Sequence, residues 1–159
     1  PQVRQRMQAT AAISRAGLPF NMWAWDGYPA ARGRLLKAAQ DSGSNLIVLS
    51  GDSHNAWGNN LRHGGKPAGV EYASSSVTSP GLESFLPLNL QNMPLAMREA
   101  NPDLIFADIG HRGYVSLQIT PSHVRGAWHF AHSVKVRSAT DFTDHPLTVR
   151  WGERRFADA

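Results

Sequence analysis

Residues 45–60 read NLIVLSGDSHNAWGNN. Leu46, Ile47, Val48 and Leu49 make an unbroken apolar run of strand length that stops at Gly51, Asp52, Ser53 and His54. A strand with no polar alternation has the pattern of a central strand covered on both faces. Loops at the carboxyl ends of such strands are where α/β proteins place ligands, because the strand holds the loop while its side chains face a crevice. On an extended segment Asp52 and His54 point to the same side. An oxygen and a nitrogen donor side by side suit a cation of the Zn, Mn or Fe kind. The same residues also read as an Asp52 turn cap with His54 bonded to backbone.

The elements on either side of this run set the fold class. Upstream, "DGYPAARGRLLKAAQDSG" places a turn at Asp26 and Gly27, Pro29 in a first helical turn, an apolar stripe at Leu35, Leu36, Ala38 and Ala39, and Gly43 at the end. The spacing predicts a helix over 29–41. Val3, Met7 and Ala11 predict a shorter amphipathic helix over 2–16, followed by the aromatic, extended "LPFNMWAW". Downstream, "AWGNNLR" and "AGVEYASSS" predict a strand pair around "HGGKP". Residues 78–94 read as loop with a short helix near Glu83, and residues 94–100 as a second helix stopped by Asn101 and Pro102. "DLIFADI", "GYVSLQIT" and "HVRGAWHFAHSV" are strand-like runs with short connections, which predicts a β-meander, and "PLTVRW" adds a last strand. Helices early and hairpin-linked strands late make a mixed α/β chain.

Length and composition bound what such a chain can be. At 159 residues it holds one respectable core, and a hydrophobic content of 42% is that of a folded protein. No apolar run approaches the roughly 20 residues that span a bilayer, so no membrane helix is expected. The net charge is +4, and 13 of the 16 basic residues are arginine. They are scattered, with only Arg150, Arg154 and Arg155 near one another, so a nucleic-acid surface is not the expectation. Cysteine is absent, which excludes disulfides and cysteine-based zinc sites. The first residue is Pro1 rather than Met, and an upstream segment is expected to precede it.

Other polar residues carry paired readings. Asp26 follows Trp23 and Trp25 and precedes a helix whose first amides favour an anion, so it reads either as a site carboxylate or as an N-cap. Asn55, Asn59, Asn60 and His63 read as turn and surface polar groups. Thr78, Ser79 and Pro80 line a pocket or close a turn. Arg112, beside His111, either binds a phosphoryl oxygen bidentately or pairs with Asp108. Trp57 reads as core, and His123, His129 and His132 as surface or core histidines.

"WDGYPAARGRLL", "LIVLSGDSHNAW", "EYASSSVTSPG" and "NPDLIFADIGHRGY", in that order over about residues 17–130, resemble the carboxyl-terminal half of PhoD-like alkaline phosphatases, members of the calcineurin-like metallophosphoesterase superfamily. The resemblance implies an α/β fold, part of a four-layer α/β/β/α sandwich with a β-meander in its second half. It implies hydrolysis of phosphate monoesters or diesters at a centre of two or more divalent or trivalent ions (Fe, Ca, Mn or Zn). On that pattern Asp52, His54 and Asp26 are the metal residues, Asp26 and His54 are catalytic, and Arg112 and Asn55 are the candidates for substrate binding. Residues 1–159 then form the carboxyl-terminal part of a single domain, with an amino-terminal helix at 1–16 and a terminal strand and tail at 134–159. The earlier Asp-x-His, Gly-Asp and Gly-Asn-His blocks of the superfamily are absent upstream of Asp26, and Trp23 stands where family members often carry Asp. The expected partners are a phosphate-ester substrate and the missing amino-terminal half of the enzyme. Nucleic acid enters only as a phosphodiester substrate, and the family implies a periplasmic or secreted protein.

Two rival readings start from the same residues. "GDS" after a strand resembles the GDSL-type esterases, with Ser53 as nucleophile and Asp108 and His111 as the distal pair, although their Gly-x-Asn-Asp block is missing. The other is a non-catalytic β-rich interaction module in which "GDSH" is only a turn.

Overall fold

The computed structural model describes residues 24–84, 93–137 and 140–157. The helix expected over 2–16, the position of Trp23 and most of "LPFNMWAW" lie outside them.

The most strongly patterned helix forms where the sequence places it. Helix α1 spans Pro29–Asp41, with Pro29 supplying the fixed φ of a first turn; of the stripe expected to be buried, Leu36 is buried and Leu35 and Ala38 are exposed. The Gln40 side-chain amide lies 3.1, 3.0 and 3.1 Å from the carbonyl oxygens of His63, Lys66 and Pro67, and so fastens the helix to the hairpin beyond it. That hairpin is β2 (Ala56–His63) and β3 (Lys66–Ala73), joined by Gly64 and Gly65 at φ 57° and 76°. Both values lie in the left-handed region that a two-residue turn requires.

Strand β1 (Leu46–Ser50) runs parallel to β3, and β4 (Leu104–Asp108) runs antiparallel to β2, which gives the first sheet the order β1-β3-β2-β4. Among the described residues the strand expected to be central at 45–50 lies at the sheet edge: β1 pairs on one side only, and Leu49 is 61% exposed. Short helix α2, Met93–Ala100, lies against β4.

The meander also needs correcting. Strands β5 (Arg112–Ile119), β6 (His123–Ala131) and β7 (Asp141–Arg150) form it, as a second sheet in the order β5-β6-β7. "DLIFADI" is β4 and belongs to the first sheet. The chain changes sheets at a corner built by Asp108, whose Oδ1 accepts from the Gly110 amide at 2.9 Å and the His111 amide at 2.8 Å. The three-residue connection 109–111 makes a corner instead of a hairpin, because the carboxylate folds the backbone back on itself.

The two sheets face each other across one apolar cluster. Ala56, Val70, Tyr72 and Phe106 come from the first sheet, Trp128, Phe130, Leu147 and Val149 from the second, and Phe156 from the tail. Trp128 is fully buried with its indole N–H donated to the Ala73 carbonyl at 2.9 Å, and it tilts against Phe106 at a ring distance of 4.5 Å. Tyr72 is buried too and donates its hydroxyl to the Leu147 carbonyl at 3.0 Å, so neither of these two rings strands its polar atom. Burial pushes the Tyr72 hydroxyl up to about 12, partly offset by a backbone hydrogen bond with Gly126. The Phe156 amide donates to Asn60 Oδ1 at 3.0 Å, which seats its ring edge-on against Tyr72. Of the expected α/β/β/α arrangement, the described residues thus supply two facing sheets and one helix laid against β2 and β3. No helix among them is long and apolar enough to cross a membrane.

Strand pairing gathers the polar connections at one end of the molecule. Ser50 and Ala73, the last residues of β1 and β3, are partners, and Ala56, the first residue of β2, pairs with Asp108, the last of β4. The loops 51–55, 74–84 and 109–111 leave from that common end.

Candidate metal centre

The loop after β1 is not extended, contrary to the reading of Asp52 and His54 as alternating along one. The Ser53 amide donates to the Gly51 carbonyl at 2.7 Å, and this tight turn puts Asp52 at φ 66° and His54 at φ 58°. Two non-glycine residues in the left-handed region within three positions is uncommon, and such backbone persists only where its surroundings hold it. Asp52 is exposed, and no hydrogen bond or ion pair engages its carboxylate among the described residues.

His54 is held firmly. Its Nδ1 lies 2.8 Å from the carbonyl oxygen of Pro80 in the 74–84 loop. A carbonyl only accepts, so Nδ1 carries a proton, and in the neutral ring Nε2 keeps its lone pair. Its main-chain oxygen accepts from Arg112 Nη1. Arg112 opens β5, is only 4% exposed, and sets Nη2 2.6 Å from Glu83 Oε2 as an ion pair without the alignment of a hydrogen bond. The pairing of Arg112 with Asp108 that the sequence allowed is replaced by this one, because Asp108 is occupied by His111 Nδ1 at 2.7 Å. Thr78 and Ser79 are exposed in the same loop as Pro80.

Asn55 is fully buried, which corrects its reading as a turn or surface polar group. Its amide donates to the Ile109 carbonyl at 3.2 Å and its Oδ1 accepts from the Leu82 amide at 3.2 Å, so it staples all three loops together. Gly81 sits at the centre. A Cβ there would stand 2.5 Å from Asn55 Nδ2, 2.8 Å from Glu83 Oε2 and 2.8 Å from the His54 carbonyl oxygen.

Burial disfavours the Glu83 carboxylate, but the Gly81 amide, its own amide and the Arg112 guanidinium outweigh that and hold its pKa below the ordinary 4.5. The folded state therefore binds this proton less readily than the unfolded chain. The stability Glu83 contributes is complete above that ordinary value and is lost as pH falls through it to the folded-state value. In denaturant melts, the gap between wild type and Glu83→Gln is expected to be widest near pH 7 and to narrow on acidification towards pH ~3. A gap independent of pH would show that Glu83 does not stay ionised in the fold.

Asp26 stands apart. It lies in a 3-10 turn at Trp25–Gly27 with its side chain 63% exposed, and Arg32 Nη1 is 3.6 Å away. The residue flanking α1 is Tyr28, with no side-chain cap, so Asp26 is not its N-cap. Among the described residues no group of three His, Cys, Asp or Glu side chains converges as a metal shell would. The loop thus offers two donors, the Asp52 carboxylate and His54 Nε2. That donor chemistry fits a hard or borderline cation whose other ligands come from elsewhere.

The serine-esterase geometry is not assembled. Ser53 Oγ accepts from the Trp57 indole at 2.9 Å and reaches the Asn55 carbonyl at 3.4 Å, and none of the described contacts joins it to His111. Trp57 is half-buried rather than core. Glu83 and Gly81 are the residues that sequence reading passed over. Glu83 is the sole acid between residues 72 and 98, a weak signal at best.

Two facing sheets with a bent, polar strand-end loop define a layered α/β protein whose candidate site lies at one end of the strands. The chain belongs to the PhoD-like phosphatase family, whose model matches residues 2–128. It is similar to alkaline phosphatase D of Bacillus subtilis (strain 168), with 32% identity over 108 residues, 64% of this chain and 18% of that protein. The solved structure titled "Structure of PhoD" shares the fold at a TM-score of 0.69 and 24% identity, over 86% of this chain and 26% of that one. The chain therefore spans about a fifth to a quarter of the length of these relatives.

Proposed function

We propose that this chain is the strand-end part of a metal-dependent phosphoesterase that hydrolyses phosphate monoesters or diesters. The observation that carries the reading is the Pro80 carbonyl 2.8 Å from His54 Nδ1. Histidines that ligate metals characteristically donate their other ring N–H to a carbonyl or carboxylate, which fixes the tautomer and aims the free nitrogen. Family membership supplies the phosphatase class, and the exposed, unengaged Asp52 carboxylate beside His54 supplies the second donor.

Asp52 and His54 Nε2 would hold the cation, with Asp26 as a further ligand of the same centre. When bound, such ions acidify a water and polarise the phosphoryl oxygen during in-line displacement. This chain's own part is to present a negative oxygen and an aimed nitrogen on a loop that cannot drift. The remaining ligands come from an amino-terminal segment whose strands continue the first sheet beyond β1. That placement is supported by the one-sided pairing of β1 and the exposure of Leu49. The fourth layer of the sandwich, a single metallophosphoesterase domain, an exported protein and phosphodiester as well as monoester substrates belong to the same reading.

Metal content decides it. The intact protein purified without chelator is expected to retain Fe, Ca, Mn or Zn by elemental analysis, and His54→Ala to lose most of it while keeping its melting curve. A His54→Ala protein with wild-type metal content overturns the assignment.

A further inference from the structure

Arg112 is the one charged side chain buried among the described residues, 4% exposed at the head of β5. Taking a guanidinium out of water costs several kcal/mol, roughly, unless it is paired. Its two terminal nitrogens are engaged with His54's main-chain oxygen and with Glu83 Oε2. Glu83 in turn uses Oε1 to accept from the Gly81 amide at 3.0 Å, and the residue before Gly81 is Pro80. Pro80 is the carbonyl that takes the proton of the His54 ring. The contacts therefore close a circuit: His54 is held at its backbone by Arg112 and at its ring by Pro80, and the two holds are joined through Glu83 and Gly81. Gly81 leaves no space in the middle for even a methyl group.

Resting on the metal-site reading above, we infer that Arg112 and Glu83 are positioning residues that set the direction of His54 Nε2, and that Arg112 does not receive the substrate's phosphoryl group. Its nitrogens face the protein. The pair keeps a charge in the interior because the loop it fixes is bent into left-handed backbone at Asp52 and His54, at φ 66° and 58°. A hydrophobic pair of the same volume would fill the space without gripping the His54 carbonyl or the Gly81 amide.

The test compares Glu83→Gln and Arg112→Lys in the intact protein, with Arg62→Gln as a control. That control breaks another ion pair, Arg62 to Asp103 at 2.6 Å. Metal-free samples at one fixed pH are labelled with ¹⁵N-histidine, the His54 signals being assigned by their loss in His54→Ala. Manganese affinity is measured on the same proteins by calorimetry. Wild type and the control are expected to show the Nδ1-protonated ring. Glu83→Gln and Arg112→Lys are expected to show a mixture of tautomers and manganese binding about 10- to 100-fold weaker. Wild-type His54 signals and wild-type affinity in the two variants overturn the inference and leave the proposed function standing. Should Arg112→Lys fail to fold, Glu83→Gln alone decides. If His54→Ala itself binds manganese as wild type does, the metal reading falls, and the inference with it.

Discussion

Asp52→Asn in the intact enzyme is expected to lower kcat by on the order of a thousandfold, about 4 kcal/mol of transition-state stabilisation. The substitution changes charge and little else. Asparagine is about as tolerant of left-handed backbone as aspartate, so φ 66° at this position is kept. Asp52 is exposed and supports no described hydrogen bond or ion pair, so the melting temperature should stay within a degree or two of wild type. On the proposed reading, what is lost is the negative oxygen that Asp52 would offer to a cation together with His54 Nε2. An assay with a chromogenic phosphate ester at saturating substrate reads the effect directly. Turnover unchanged in Asp52→Asn would remove this loop from the chemistry.

Gly126→Ala should act on stability instead. Gly126 lies in β6, buried beneath the Tyr72 ring. A methyl built on it would stand 2.5 Å from Tyr72 Cδ1 and 2.9 Å from Cζ, and closer still to Cε1. The ring has nowhere to go. Trp128 flanks it at 5.6 Å, Phe156 meets it edge-on at 5.1 Å, and its hydroxyl is tied to the Leu147 carbonyl. Overpacking of a filled core costs about 3 kcal/mol, here at the upper end because both the backbone and the ring are fixed. A fall in melting temperature on the order of 10 °C is expected. Gly110→Ala, where a methyl meets nothing within 4 Å, should be close to neutral. Adding Tyr72→Leu to Gly126→Ala should recover part of the loss, and a Gly126→Ala protein as stable as Gly110→Ala would refute the packing argument.

The parts of the fold legible in the sequence are those fixed by local chemistry. Pro29, the apolar stripe and Gly43 mark α1, and Gly64 and Gly65 mark the β2–β3 turn, because each signal acts within a few residues. The sheet change after β4 was not legible. A short polar connection between two strands looks the same whether it makes a hairpin or a corner, and the difference lies in which amides the Asp108 carboxylate captures. The apolar run of β1 reads as a central strand, but among the described residues it pairs with β3 alone. In the site, Asp52 and His54 announce themselves as polar groups on the end of an apolar strand. Their support does not. Asn55 reads as a surface amide until Ile109 and Leu82 provide its partners. Glu83 and Arg112 meet only because the loop after β3 converges on the head of β5 in the other sheet, a long-range contact that no local pattern encodes.

Arg112 is the first residue of the second sheet, yet it grips the loop that leaves the first. The order of assembly follows from that. Helix α1 and the β2–β3 hairpin can form from near neighbours, whereas the loop bearing Asp52 and His54 stays unset until β5 has docked, which makes it a late, non-local event in folding. The reverse also holds in the native state: a breath of the second sheet away from the first releases Arg112 and loosens the loop bearing Asp52 and His54 in the same motion, so the two should open as one cooperative unit.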